Sequence, residues 1–146
     1  MAFIAEAEFT LHSVIDNLDD AGIAEGEPEI SITTVRGFIR HGEGELTLSY
    51  TESGEGGRCA CEVILSEENR VLIKRRGAIE CDMLFAEGEE RCTVYSVPPY
   101  SFDMLIRTKR IRSTLTSQGG ELYLLYSMNV GGQEKNVRMR VNAKRL

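Results

Sequence analysis

The chain has 146 residues, a length that fits one domain and can bury a core without disulfide or metal staples. Its 42% hydrophobic and 27% charged residues are the proportions of an ordinary globular chain, which excludes disordered and fibrous classes. The formal net charge of −6 works against a general affinity for nucleic acid, and no run of about eighteen apolar residues marks a membrane-crossing helix.

Read from the start, MAFIAEAEFTLHSVID has no basic leader region and carries Glu6 and Glu8 where a signal peptide is apolar. This predicts a cytoplasmic protein whose four cysteines are reduced. The same segment begins a period-two alternation of apolar and polar residues that continues to Val141, the mark of half-buried antiparallel strands. The alternation predicts strands near 3–15, 29–40, 45–52, 58–66, 70–76, 78–86, 91–97, 101–116, 121–129 and 135–143. Turns rich in Gly, Pro, Asn and Asp separate them, such as His41–Gly44, Ser53–Gly57, Pro98-Pro99 and Gly131-Gly132. Gly77 stands between two runs with no other turn residue, which suggests a bulge in one long strand. The acidic stretch Asn17–Pro28 reads as a solvated hairpin connection, with a lid as the alternative.

Ten antiparallel strands without helices need a way to remove their edges, and closure is the most complete one. The expected fold is therefore an all-β, up-and-down barrel of eight to ten strands, residues 1–146 forming one domain. The charge is uneven. Nine Lys/Arg against two Glu give +7 from Met104 to Leu146, and eight Lys/Arg against twenty-one Asp/Glu give −13 before it. If the first and last strands pair, Glu6 and Glu8 would lie beside Arg138 and Arg140 and help close the sheet. The eighth strand changes parity, from Phe102, Met104 and Ile106 to Ile111, Ser113 and Leu115, which predicts a bulge near Thr108–Arg110.

Several runs resemble the YwiB-like family of small bacterial proteins. They are VLIKRRGAIECDMLF (Val71–Phe85), YSVPPYSFDMLIRTKRIRSTL (Tyr95–Leu115), GGELYLLYSMNV (Gly119–Val130), SVID (Ser13–Asp16) and SYTE (Ser49–Glu52). Together they span nearly the whole chain in order. The resemblance implies a calycin-like barrel, the architecture of lipocalins and fatty-acid-binding proteins. It implies no activity, because the family is a domain of unknown function. The chain departs from lipocalins in having no Gly-x-Trp near its start and no Trp at all.

Chemistry-bearing motifs are few. Cys59-x-Cys61, Cys81 and Cys92 lack the knuckle spacing of a zinc site, and all four read as small core residues, so no metal and no cofactor are expected. His12 and His41 are the two histidines, and no Gly-x-Ser-x-Gly or His-Glu-x-x-His motif is present, which argues against hydrolysis. The stronger leads are polar residues on apolar faces: Tyr50 and Glu52 after Leu46 and Leu48, Arg75 after Val71 and Ile73, and Tyr126 between Leu124 and Met128. Charge inside a barrel must be paired or hydrated, by a ligand head group or by a Glu52–Arg75 salt bridge. These four residues are the candidate ligand contacts, and a small apolar or amphipathic ligand in an apolar interior of several hundred cubic ångströms is the leading expectation. An enzyme using Glu52 has weaker support. The alternative is a filled barrel whose basic C-terminal region docks an anionic protein or RNA. Arg107, Lys109, Arg110 and Arg112 alternate faces along a strand, which reads as solvated wall and disfavours nucleic acid. The sequence leaves a homodimer open.

Overall fold

The computed structural model describes residues 3–54 and 56–146; Glu55, inside the predicted Ser53–Gly57 turn, lies outside them, as do Met1 and Ala2. The described residues contain no helix. They form ten strands: β1 (Phe3–Asn17), β2 (Glu29–Gly42), β3 (Glu45–Gly54), β4 (Gly57–Ser66), β5 (Val71–Gly77), β6 (Cys81–Phe85), β7 (Glu90–Val97), β8 (Tyr100–Ser113), β9 (Gly119–Val130) and β10 (Gln133–Arg145). All belong to one antiparallel sheet in the order β6-β5-β4-β3-β2-β1-β10-β9-β8-β7, curled into a nearly closed barrel. The period-two pattern is the cause: alternate side chains fall on one face, and that face turns inward.

The first and last strands do pair, over eleven residues, but in a register that corrects the expected charge contacts. Glu8 faces Lys144, His12 faces Arg140 and Val14 faces Arg138. Arg140 instead meets Glu121 of β9 at 3.2 Å. Parity alone cannot choose among such two-residue slips, because each keeps the same side chains inside.

The open seam lies mid-chain. Just before β6, Glu80 is joined to Ser96 of β7 by one bridge, the two exchanging backbone hydrogen bonds of 2.8 and 2.9 Å. Beyond it the strands splay, and the loop between them hooks onto β8: Gly88 N donates to Thr108 O, and Thr108 N to Glu89 O. Glu87 Oε1 accepts from Ile111 N at 2.7 Å. This is where the β8–β9 register shifts between Thr108 and Arg110, as the parity change predicts. Gly77 is not a bulge in a continuous strand. It ends β5, and the chain reverses through 78–80 into β6. The Asn17–Pro28 stretch is a connection with its own bonds, the Asp19 carboxylate accepting from Ala21 N and Ile23 N at 2.9 and 3.0 Å.

The core is one cluster. Phe9, Ile39, Leu48, Val63, Phe85, Ile106, Leu122 and Leu124 are fully shut from solvent. Each such side chain contributes about 1.5–3 kcal/mol by leaving water. These residues fill the middle of the barrel, so the cavity described below is not the apolar chamber expected from the sequence.

Candidate functional site: a polar mouth around Arg75

Gly37 opens the barrel at one end. A β-carbon there would stand 1.9 Å from Ser49 O, so only glycine lets β2 and β3 cross this closely. The β2–β3 ladder runs from Gly37↔Tyr50 to Gly42↔Glu45, and the preceding half of β2 pairs with β1 alone. The chain therefore leaves an opening between β2 and β3. It leads to a cavity of about 320 Å³ lined by Leu11, Ser13, Ser31, Thr33, Tyr50, Glu52, Ser53, Arg75 and Met139, with His12 at its border.

Arg75 is held by a cross-strand row. Tyr50 faces Cys61, Cys61 faces Arg75, and Arg75 faces Cys81. Directly opposed residues share a face, so a tyrosine, two thiols and a guanidinium all point inward. Glu52 stands in the next row, opposite Cys59. Arg75 is half-buried, and its Nε is closed to solvent with no hydrogen-bond partner. Among the described residues no ion pair joins it to Glu52. The Glu52–Arg75 salt bridge, one of the two pairings left open by the sequence, is therefore not formed.

The charge persists nonetheless. Burial pulls the Arg75 guanidinium toward neutrality, but Glu52, Tyr50, Cys61 and Tyr126 outweigh it and hold the pKa above its ordinary value. Burial pushes the Tyr50 phenol up, Cys61 and Glu52 add to this, and Arg75 opposes. The Cys61 thiol is pushed up to about 12, by burial first and then Glu52, against Arg75. Such a thiol is protonated at neutral pH and is a poor nucleophile. The site is thus one fixed positive charge in a neutral, hydroxyl-rich wall, with one carboxylate nearby. It can hold an anion. Among the described residues no cluster of three His, Cys, Asp or Glu is placed to hold a metal ion.

Three of the four residues singled out by parity, Tyr50, Glu52 and Arg75, come together here. Tyr126 does not line the cavity. It lies in the packed floor, its ring centroid 4.7 Å from that of Phe85, and burial pushes its phenol up to about 12 while Arg75 opposes. Ser13, Ser31, Thr33 and Met139 are lining residues that sequence reasoning missed. Ser13 shares the inward parity of Leu11 and Ile15, and Met139 that of Val137 and Val141, whereas Ser31 and Thr33, in the exposed half of β2, carry no such signal.

Cys59, Cys61 and Cys81 are buried free thiols, as expected, but Cys92 is exposed, and so is Val94 at 51%. Register is the reason. Arg91 faces Ile106 and Thr93 faces Met104, both inward, so Cys92 and Val94 must face outward. The basic run is corrected too. Because Lys109 is the extra residue of the bulge, Arg107, Arg110 and Arg112 all point outward, and with Lys109 all four are exposed.

The comparisons agree with this architecture. The chain is 28% identical over 134 residues to the "Uncharacterized beta-barrel protein YwiB" of Bacillus subtilis, covering 90% of this chain and 89% of that protein. It superposes on the crystal structure of the ywiB protein from Bacillus subtilis with a TM-score of 0.85 at 25% identity, over 98% of this chain and 93% of that one. Residues 21–141 match the family described as "Domain of unknown function (DUF1934)", and the chain belongs to that family.

Proposed function

We propose that this protein is a calycin-like barrel that binds a small amphipathic anion at its polar mouth, the anionic group on Arg75 and the apolar part against Leu11 and Met139. The observation that carries the reading is Arg75, whose charged side chain lines the cavity without an ion pair among the described residues while its Nε, closed to solvent, has no hydrogen-bond partner. An unpaired buried charge is costly, and a bound carboxylate would offset that cost with a bidentate, charge-assisted pair. The volume, about 320 Å³, sits at the small end of ligand sites, which favours a short molecule over a long lipid. The hydroxyls of Tyr50, Ser13, Ser31 and Thr33 supply further contacts. Glu52 disfavours a second negative charge on the ligand. The free, mostly buried thiols suit a reducing cytoplasm.

Titration with decanoate, followed by calorimetry, tests this. Wild-type protein binds it, and Arg75→Met weakens binding by about tenfold or more, the loss of one charge-assisted pair. Equal binding by both proteins overturns the reading.

A further inference from the structure

The outer face of β8, β9 and β10 carries a second feature. The β8 bulge brings Arg110 opposite Leu125 and Arg112 opposite Tyr123. On the far side of β9, Leu125 faces Arg138 and Tyr123 faces Arg140. Two rows result, Arg110–Leu125–Arg138 and Arg112–Tyr123–Arg140. Arg110 and Arg112 form one rail on β8 and Arg138 and Arg140 another on β10, the two strand backbones about 9.6 Å apart across two strand spacings, with Leu125 and Tyr123 as the floor. Arg110, Arg112, Glu121, Tyr123, Leu125 and Arg140 line a shallow, open groove of about 650 Å³ here.

The charges are unevenly satisfied. Arg140 meets Glu121 at 3.2 Å, and Arg107 beyond the groove meets Glu90 at 2.7 Å. Arg110, Arg112 and Arg138 form no ion pair among the described residues. The rails thus carry four cations, three of them lining the groove, against one carboxylate there, Glu121, on a chain that is acidic as a whole.

We infer that this groove docks single-stranded RNA, its phosphates on the arginine rails and its bases over the Tyr123–Leu125 floor. All four cations are arginine, whose planar fork matches phosphate oxygens and stacks on bases. Arg140 already lies over the Tyr123 ring, 5.6 Å from its centroid, an aromatic–guanidinium stack to which a base can add. An acidic peptide would use the rails, but its carboxylates themselves offer no ring to stack on Tyr123. In the folded chain the arginines do not alternate, because the bulge gathers them on one side.

Fluorescence anisotropy with a labelled oligouridylate of about twelve nucleotides tests the inference on the full chain. Three to four phosphate contacts predict a log–log salt slope of about −2 to −3 between roughly 50 and 200 mM salt. The double variant Arg110→Glu/Arg112→Glu weakens binding about tenfold or more and flattens the slope, whereas Arg40→Glu, exposed on β2, leaves both unchanged. Thermal melts of each variant establish that it is folded. No binding at about 50 mM salt overturns the inference, as does binding that the double variant retains. Binding of polyglutamate without binding of oligouridylate also overturns it, in favour of an acidic protein partner.

Discussion

The floor and the mouth of the barrel are built from the same strands, yet they differ in what fills them. β3 passes from Leu48 to Tyr50 to Glu52, and β1 from Phe9 to Leu11 to Ser13, as each climbs from floor to mouth. In the floor, apolar side chains interlock. At the mouth the same inward positions carry hydroxyls, a carboxylate and a guanidinium that lacks an acceptor. Tertiary packing stabilises the first region, and the second retains an unmet charge. That contrast assigns stability to the floor and leaves the mouth as the region proposed to bind.

Substitutions that break the floor have the largest expected effects. Phe9→Ala deletes a fully buried ring and is expected to cost about 3–5 kcal/mol in urea denaturation. A cost below about 1 kcal/mol would mean that the floor is not packed as described. Gly37→Ala acts at the boundary between the regions. Its β-carbon must displace Ser49 O, so a loss of about 3 kcal/mol is expected, and the mouth should bind ligand less well. A neutral Gly37→Ala would show that β2 and β3 need not cross so closely.

A smaller effect comes from pH. The Tyr126 phenol, normally near 10, and the Cys61 thiol, normally near 9, both rise to about 12, by burial above all. The folded state holds these protons more tightly than the unfolded chain does. The stability this contributes is whole below pH 9 and is lost as pH climbs toward about 12. For Tyr126 the loss is on the order of 2 kcal/mol. Denaturation midpoints at neutral and alkaline pH should therefore diverge, and Tyr126→Phe should narrow the gap. The smallest effect is at Cys92. One thiol per native chain should react with a water-soluble thiol reagent, and Cys92→Ser should abolish that reaction while changing stability by less than about 0.5 kcal/mol. Reaction of all four thiols in the native protein would show the floor to be open.

Much of this contrast is legible before folding. Period-two alternation marks the ten strands, places Tyr50, Glu52 and Arg75 inside, and flags the β8 bulge through its change of parity. What alternation lacks is register and pairing. Cys92 and Val94 are apolar and invite an inward reading, yet β7 takes its face from β8. The Pro98-Pro99 turn holds the information, because it sets Val97 against Tyr100 and hence Cys92 against the outward-leaning Leu105. The mouth is harder to foresee. It depends on β2 leaving β3 at Gly37 and on strands distant in sequence coming together. Nothing local distinguishes Ser31 and Thr33 from ordinary surface residues. The basic wall illustrates the same point, since one inserted residue, Lys109, decides whether the arginines alternate or assemble.

The measurement that bears most directly on the account is native mass spectrometry of untagged protein purified from bacterial cells, before and after adding decanoate, for wild type and Arg75→Met. The account predicts a single non-covalent adduct of small-molecule mass on the wild type that is missing from the variant. A bare polypeptide mass on the wild type under both conditions, or an adduct that Arg75→Met retains, would contradict the assignment of the mouth as an anion site.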